Sequence, residues 1–209
     1  MSGDRRRERE ALVDRLTDRR DLSAATERAM RAVPRHAFVP ADRQAGAYDD
    51  TPLPIGEGQT ISAPHMVAIM TDLLEAEEGD RVLEVGTGCG YHAAVTAEVV
   101  GAGNVYSVEY HDSLARQARE TLRKAGYGDV SVRAGDGREG WPAHAPYDRA
   151  YFTCAAPDFP EAVVEQVRAG GLVLAPIGER TQTLVRARKR EDGGLDRERH
   201  GGVRFVPLQ

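Results

Sequence analysis

The sequence predicts an α/β protein, a doubly wound and mostly parallel seven-stranded sheet preceded by N-terminal helices. Three observations carry that expectation. From residue 82 onward, short apolar runs alternate with stretches of helical periodicity, the pattern of a parallel sheet covered by helices on both faces. The first run, Val82-Leu83-Glu84-Val85, stops on a cluster of glycines, as strands do where a ligand meets the N-terminus of the next helix. A content of 41% hydrophobic and 29% charged residues over 209 positions suits a globular chain that buries a core without disulfides or structural metal.

The elements follow in order. Residues 4–32 are charged with helical spacing, Leu12, Val13, Leu16 and Leu22 being the apolar positions, so one or two helices are expected. Pro34, Pro40, Pro52, Pro54, Gly56 and Gly58 make residues 33–60 a long irregular segment. Phe38, Tyr48, Leu53 and Ile55 anchor it, which marks a packed functional loop rather than a linker. Ser62 is a candidate N-cap, and Pro64 sits in a first helical turn where its missing N–H costs nothing. Met66, Ile69, Met70, Leu73 and Leu74 carry that helix to about residue 77. Strands are then expected at 81–85, 104–109, 130–134, 148–152, 171–176, 182–189 and 203–208, with helices at 91–100, 111–125 and 160–168. The chain is expected to form one domain. Residues 1–32 would be its helical lead, 33–63 a substrate loop, and 64–209 a cofactor-binding core with C-terminal strands.

Composition narrows the function. The net charge is −5, from 28 basic and 33 acidic residues, and nucleic-acid binders usually carry a basic excess or stripe. Arg5–Arg7 is followed by alternating charges and reads as a solvated helix face, so no nucleic-acid partner is expected. Apolar stretches are too short to cross a membrane, and the charged N-terminus is unlike a secretory signal. A cytoplasmic, monomeric protein is the default. Cys89 and Cys154 stand far apart, in no disulfide or metal-like spacing, and no metal is expected.

The chemical signal is Gly86-Thr87-Gly88-Cys89-Gly90-Tyr91. A dinucleotide fingerprint requires a glycine at position 91, but Tyr91 occupies it; the spacing is G-x-G-x-G, with Glu84 two residues ahead. This stretch resembles the first motif of S-adenosylmethionine-dependent methyltransferases of class I. Glycines let backbone approach a ligand without phosphates, and the nearby acid Glu84 suits a cationic amino-acid end. Glu109, 19 residues after Gly90, ends the second strand, where an acid takes both hydroxyls of a ribose. Asp136, in Gly135-Asp136-Gly137, follows the third strand and is placed to meet an adenine amino group. The residues expected to hold S-adenosylmethionine are Glu84, Gly86, Thr87, Gly88, Gly90, Glu109, Asp136 and Gly137.

The acceptor is narrowed by exclusion and by motif. After the fourth strand stands Thr153-Cys154-Ala155-Ala156-Pro157, not the Asn/Asp-Pro-Pro-Tyr/Phe of many nitrogen methylases. Cys154 lacks the preceding proline of cytosine methylases and reads as a small buried residue. The chain also carries Val33-Pro34-Arg35-His36-Ala37-Phe38-Val39-Pro40 and Gly58-Gln59-Thr60-Ile61-Ser62-Ala63-Pro64-His65-Met66, and near its end Phe205-Val206-Pro207-Leu208. With Ala145-Pro146-Tyr147-Asp148, these segments resemble the protein-L-isoaspartate O-methyltransferase family over about residues 30–209. The resemblance implies Ser62 at the active site. It places Gln59, Thr60 and Ile61 at the edge of the peptide and cofactor cleft, and Val206 near the substrate.

It further implies methyl transfer to the free carboxylate of L-isoaspartyl residues in damaged or flexible protein segments, leading through a succinimide to aspartate. A carboxylate with a pKa of about 4 is already ionised at neutral pH, so no general base is needed. Ser62 would orient it by a hydrogen bond. His65 and His92 then read as structural, and Tyr91 and Trp141 as packing residues. An RNA or small-molecule methyltransferase on the same fold, or a non-catalytic cofactor-binding protein, are the alternatives.

Overall fold

The structure is a computed structural model that describes residues 2–209. Its centre is a seven-stranded sheet in the order β5-β4-β3-β6-β7-β8-β9. Five strands run parallel: β3 (Val82–Val85), β4 (Val105–Glu109), β5 (Ser131–Ala134), β6 (Tyr147–Phe152) and β7 (Val167–Ile177). β8 (Gln182–Lys189) and β9 (Leu195–Val203) close the far edge as antiparallel strands. The α/β class and the strand number match the sequence expectation. Strand order reverses between β3 and β6, and the crevice at such a switch point is where open α/β sheets bind ligands.

Side-chain alternation splits the core in two. Val82, Val105, Tyr151, Leu174 and Leu184 face one cluster. Leu83, Val85, Val108, Phe152, Val173 and Val185 face the other, as a period of two dictates for strands buried on both sides. The first cluster is covered by α1 (Ser2–Thr17), α2 (Ala24–Ala32), α3 (Pro64–Leu73) and α4 (Tyr91–Val100). Leu122 of α5 (Asp112–Ala125) packs there too. The second is covered by the short α6 (Glu161–Gln166) with Phe159 and Trp141.

The structure departs from expectation in four places. The irregular segment holds two 3₁₀ turns and a small antiparallel hairpin, β1 (Leu53–Gly56) with β2 (Gln59–Ile61). Glycines at 56 and 58 flank Glu57, and all three have positive φ, which closes so tight a reversal. The last strand is β9 at 195–203, not 203–208. Asp192 Oδ1 accepts the Gly194 N–H at 2.9 Å and turns the chain at once, so the polar stretch 195–203 becomes the sheet edge. Charged edge strands of this kind resist further pairing. β7 starts at Val167, directly after α6, several residues earlier than its apolar run. Finally, Ser62 is not the cap of α3. The N-cap is Ala63 and has no side-chain bond; instead Asp50 Oδ1 accepts the His65 N–H at 2.8 Å.

Candidate active site

β3 is buried on both faces and delivers the chain to Gly86 at the switch point. From there Gly86, Gly88 and Gly90, all with positive φ, fold the backbone into a loop that reaches α4 with Gly90 as its N-cap. Such φ values disfavour any other residue. Side chains are excluded here by space as well. A Cβ on Gly86 would stand 2.3 Å from the Thr153 hydroxyl, and one on Gly137 would stand 2.4 Å from Val85. The floor at Gly86, Gly88 and Gly137 is therefore bare backbone, and it lines a narrow cavity of about 50 Å³ with Glu109, Thr153 and Val206. Gln59 and Thr60 of the hairpin and residues 206–209 of the tail close over it.

Glu109 sits at the end of β4 with its carboxylate held by the chain. Oε2 accepts the Gly88 N–H at 2.8 Å and Oε1 accepts the His111 N–H at 3.0 Å. Each oxygen keeps a second lone pair, so the group is pre-oriented to accept from a pair of neighbouring hydroxyls. Bare backbone beside a fixed diol acceptor fits the nucleoside of S-adenosylmethionine.

A second, larger cavity of about 1240 Å³ adjoins it. Ser62, Thr60, His65 and Met66 line it together with residues 179–182 and 202–207. Thr60, Thr153, Val206 and Pro207 belong to both cavities and form the partition between them. The tail is held there by Ala155, whose N–H donates to Val206 O and whose carbonyl accepts the Leu208 N–H, each at 2.8 Å. Gln182 grips Phe205 from both sides, donating to its carbonyl at 3.0 Å and accepting its N–H at 2.6 Å.

The Ser62 hydroxyl makes no hydrogen bond among the described residues, which leaves it free toward the cavity. The backbone behind it is fixed: the Ser62 carbonyl accepts from Arg35 Nη2 at 3.1 Å, as does Thr51 O. Arg35 is fully buried and stacks over the Tyr91 ring at 5.5 Å; burial lowers its pKa. His65 Nδ1 lies 2.9 Å from Asp50 Oδ1.

Several residues expected at the cofactor or at the edge of the peptide cleft line neither cavity. Glu84 does not reach the cavity. It is fully buried, accepting from Ser107 Oγ at 2.5 Å and Tyr151 OH at 2.8 Å. Burial pushes its carboxyl up to about 8, against the pull of the two hydrogen bonds it accepts. The cause is register, since Ser107 and Tyr151 are its partners on the two neighbouring strands. Thr87 is buried beside it, 2.5 Å from the Ser107 hydroxyl. Asp136 is spent on Arg138, which holds both carboxylate oxygens at 2.9 and 3.0 Å from Nε and lowers its pKa; only its neighbour Gly137 lines the cavity. Gly90 starts α4 and packs on Leu122, and Ile61 is buried in the core.

His92 is buried 3.2 Å from the Thr71 hydroxyl and packs on Tyr151, and burial pushes its pKa down to about 3. That neutral, enclosed ring has no acid–base role in reach of either cavity. Cys154 is buried, with its thiol pushed up to about 12, far from a thiolate nucleophile. Sequence reasoning missed Thr153 and the Asp50–His65 pair. Thr153 was findable from its position just past β6 at the switch point; Asp50 lies 15 residues from its partner, and no local pattern links them.

Comparison with known proteins agrees with this geometry. The profile of the protein-L-isoaspartate(D-aspartate) O-methyltransferase family matches residues 7–209, taking in α1, which the sequence resemblance had left out. Protein-L-isoaspartate O-methyltransferase 2 of Archaeoglobus fulgidus is 53% identical over 210 residues, covering 100% of this chain and 95% of that protein. A solved protein-L-isoaspartate O-methyltransferase superposes with a TM-score of 0.88 at 30% identity, over 96% of this chain and 66% of the other. A Plasmodium falciparum protein described under the same name, solved with S-adenosyl-L-homocysteine, shares the fold at a TM-score of 0.83 and 24% identity, over 96% and 98% of the two chains. With the family profile matching residues 7–209 and a relative 53% identical over the full chain, the chain belongs to the protein-L-isoaspartate(D-aspartate) O-methyltransferase family.

Proposed function

We propose that the chain transfers the methyl group of S-adenosylmethionine to the free carboxylate of L-isoaspartyl residues in flexible protein segments. The observation that supports this most directly is the pair of adjoining cavities. One has the bare glycine floor and Glu109, the other has Ser62 and room for a peptide, and they share Thr60, Thr153, Val206 and Pro207.

Bound S-adenosylmethionine supplies an electrophilic methyl carbon. Gly86, Gly88 and Gly137 would admit it close to backbone, and Glu109 would accept from its ribose hydroxyls. The isoaspartyl carboxylate is ionised at neutral pH and needs no base. The chain's work is placement. Ser62 Oγ–H donates to one carboxylate oxygen and aims the other across the partition. Thr60 and Val206 exclude water from the line of approach, which strengthens every remaining contact. A neutral hydroxyl, unlike an arginine, leaves the attacking oxygen reactive. The product is a methyl ester. Off the enzyme, the neighbouring backbone nitrogen expels methanol to form a succinimide, whose hydrolysis returns part of the chain to aspartate.

The test is transfer of labelled methyl to matched peptides carrying L-isoaspartate or L-aspartate. Base-labile label on the isoaspartyl peptide alone is expected; equal label on both, or on neither while S-adenosylmethionine still binds, overturns the assignment. Ser62→Ala is expected to lower kcat by about 10–100-fold with little change in cofactor affinity, the mark of a lost orienting contact. Full turnover by that variant would remove Ser62 from the mechanism.

A further inference from the structure

We infer that Arg180 and Arg204 give the peptide cavity a preference for isoaspartyl sites flanked by an acidic side chain. The inference rests on the function proposed above and concerns which substrates the same site favours.

Both arginines line the cavity that holds Ser62. Arg180 lies in the turn between β7 and β8, and Arg204 follows β9; both are exposed. Neither forms an ion pair or a side-chain hydrogen bond among the described residues. That sets them apart from most cations on the same sheet edge. Arg186 is paired with Glu198 at 2.6 Å, Arg188 with Glu75 at 3.3 Å, Arg190 with Asp196 at 2.6 Å and Arg197 with Asp158 at 2.8 Å. Arg199 is also without an acid partner but lies outside the cavity. In a chain with five more acids than bases, two unpaired guanidinium groups facing one cleft are a local reversal of sign.

The cavity's other formal charges do not cancel them. Glu179 is the single acid in the lining, and His65 already faces Asp50. The segment carrying Arg204 is fixed by the Gln182 clamp on Phe205, so its backbone does not swing away when a peptide enters. A guanidinium presents a planar fork that matches a carboxylate. The methylated carboxylate is oriented by Ser62, leaving these forks to a second carboxylate of the same peptide, an Asp or Glu side chain beside the damaged residue.

The experiment compares kcat/KM for three isoaspartyl peptides differing only in flanking residues, Glu, Ala or Lys. All are acetylated and amidated so that no terminal charge competes. At low ionic strength the Glu-flanked peptide is expected to exceed the Lys-flanked one by about 1.5–5-fold, the range of exposed ion pairs. The ratio should shrink toward one in about 0.5 M salt. In the double variant Arg180→Glu/Arg204→Glu the order should invert, with an unchanged denaturation midpoint showing that the fold is intact. Equal kcat/KM for all three peptides, or a ratio that survives the charge reversal, overturns the inference while methylation of the Ala-flanked peptide keeps the function. Methylation of none of them overturns both.

Discussion

Glu84 and His92 are ionisable groups sealed into the core, and burial pushes each toward its neutral form. The folded chain holds a proton on Glu84 up to about pH 8, while the unfolded chain releases it near the ordinary 4.5. Above pH 4.5 the unfolded state binds fewer protons than the folded one, so stability falls with rising pH until about pH 8 and is flat beyond. His92 acts in the opposite range. Its folded pKa of about 3 against the ordinary 6.5 costs stability as pH falls from about 6.5 to 3. Glu84→Gln, which resembles the protonated acid in shape and bonding, is expected to gain on the parent steadily between pH 4.5 and 8. Denaturant titrations across that range check it; a constant difference between the two proteins would mean that Glu84 is ionised in the fold. Nothing local in the sequence separates this reading from a cofactor-facing acid. Register decides, by setting Ser107 and Tyr151 on either side of Glu84.

At the scale of elements, Arg149 ties the end of α3 to the sheet. Arg149, on β6, donates from Nε to Leu74 O at 2.9 Å and from Nη2 to Glu75 O at 2.8 Å, with Asp80 at 3.3 Å. These are carbonyls that the end of a helix leaves unpaired, so the guanidinium caps α3 and fixes its position against β6. Arg149→Met is expected to destabilise the protein by about 2–4 kcal/mol, since buried carbonyls lose their donors. Lysine should recover only part of that, lacking the planar fork. Urea midpoints measure both, and a loss under about 0.5 kcal/mol for Met would show the cap to be dispensable. The opposite end of α3 is capped from Asp50 rather than Ser62, which frees the serine hydroxyl for the cavity. Periodicity marked this helix well. It could not reveal the caps, because both come from residues distant in the chain.

Over the whole molecule, α1 belongs to the core. Leu12, Val13 and Leu16 are buried in the cluster that contains Met30, Val33, Tyr91 and the sheet residues Val82 and Tyr151. Leu16→Ala is expected to cost about 2–4 kcal/mol and to lower the midpoint of one cooperative transition. A separate early transition, or no change, would show α1 to be an independent appendage. The same packing explains why the family match begins at residue 7.

The sequence by itself determined the α/β class, the first strand and its glycine loop, Glu109 at the end of the second strand, and the Ser62 segment, because each is written in consecutive residues with a fixed period or a required φ. Only the tertiary structure decided that Glu84, Thr87 and Ile61 are buried, that Asp136 turns to Arg138, and that β9 precedes rather than includes the tail. It also decided that Thr153 and Val206 stand between two cavities. Those outcomes depend on which strand lies beside which and in what register. Strand register is a long-range balance of side-chain burial and backbone pairing, and no window of neighbouring residues contains it.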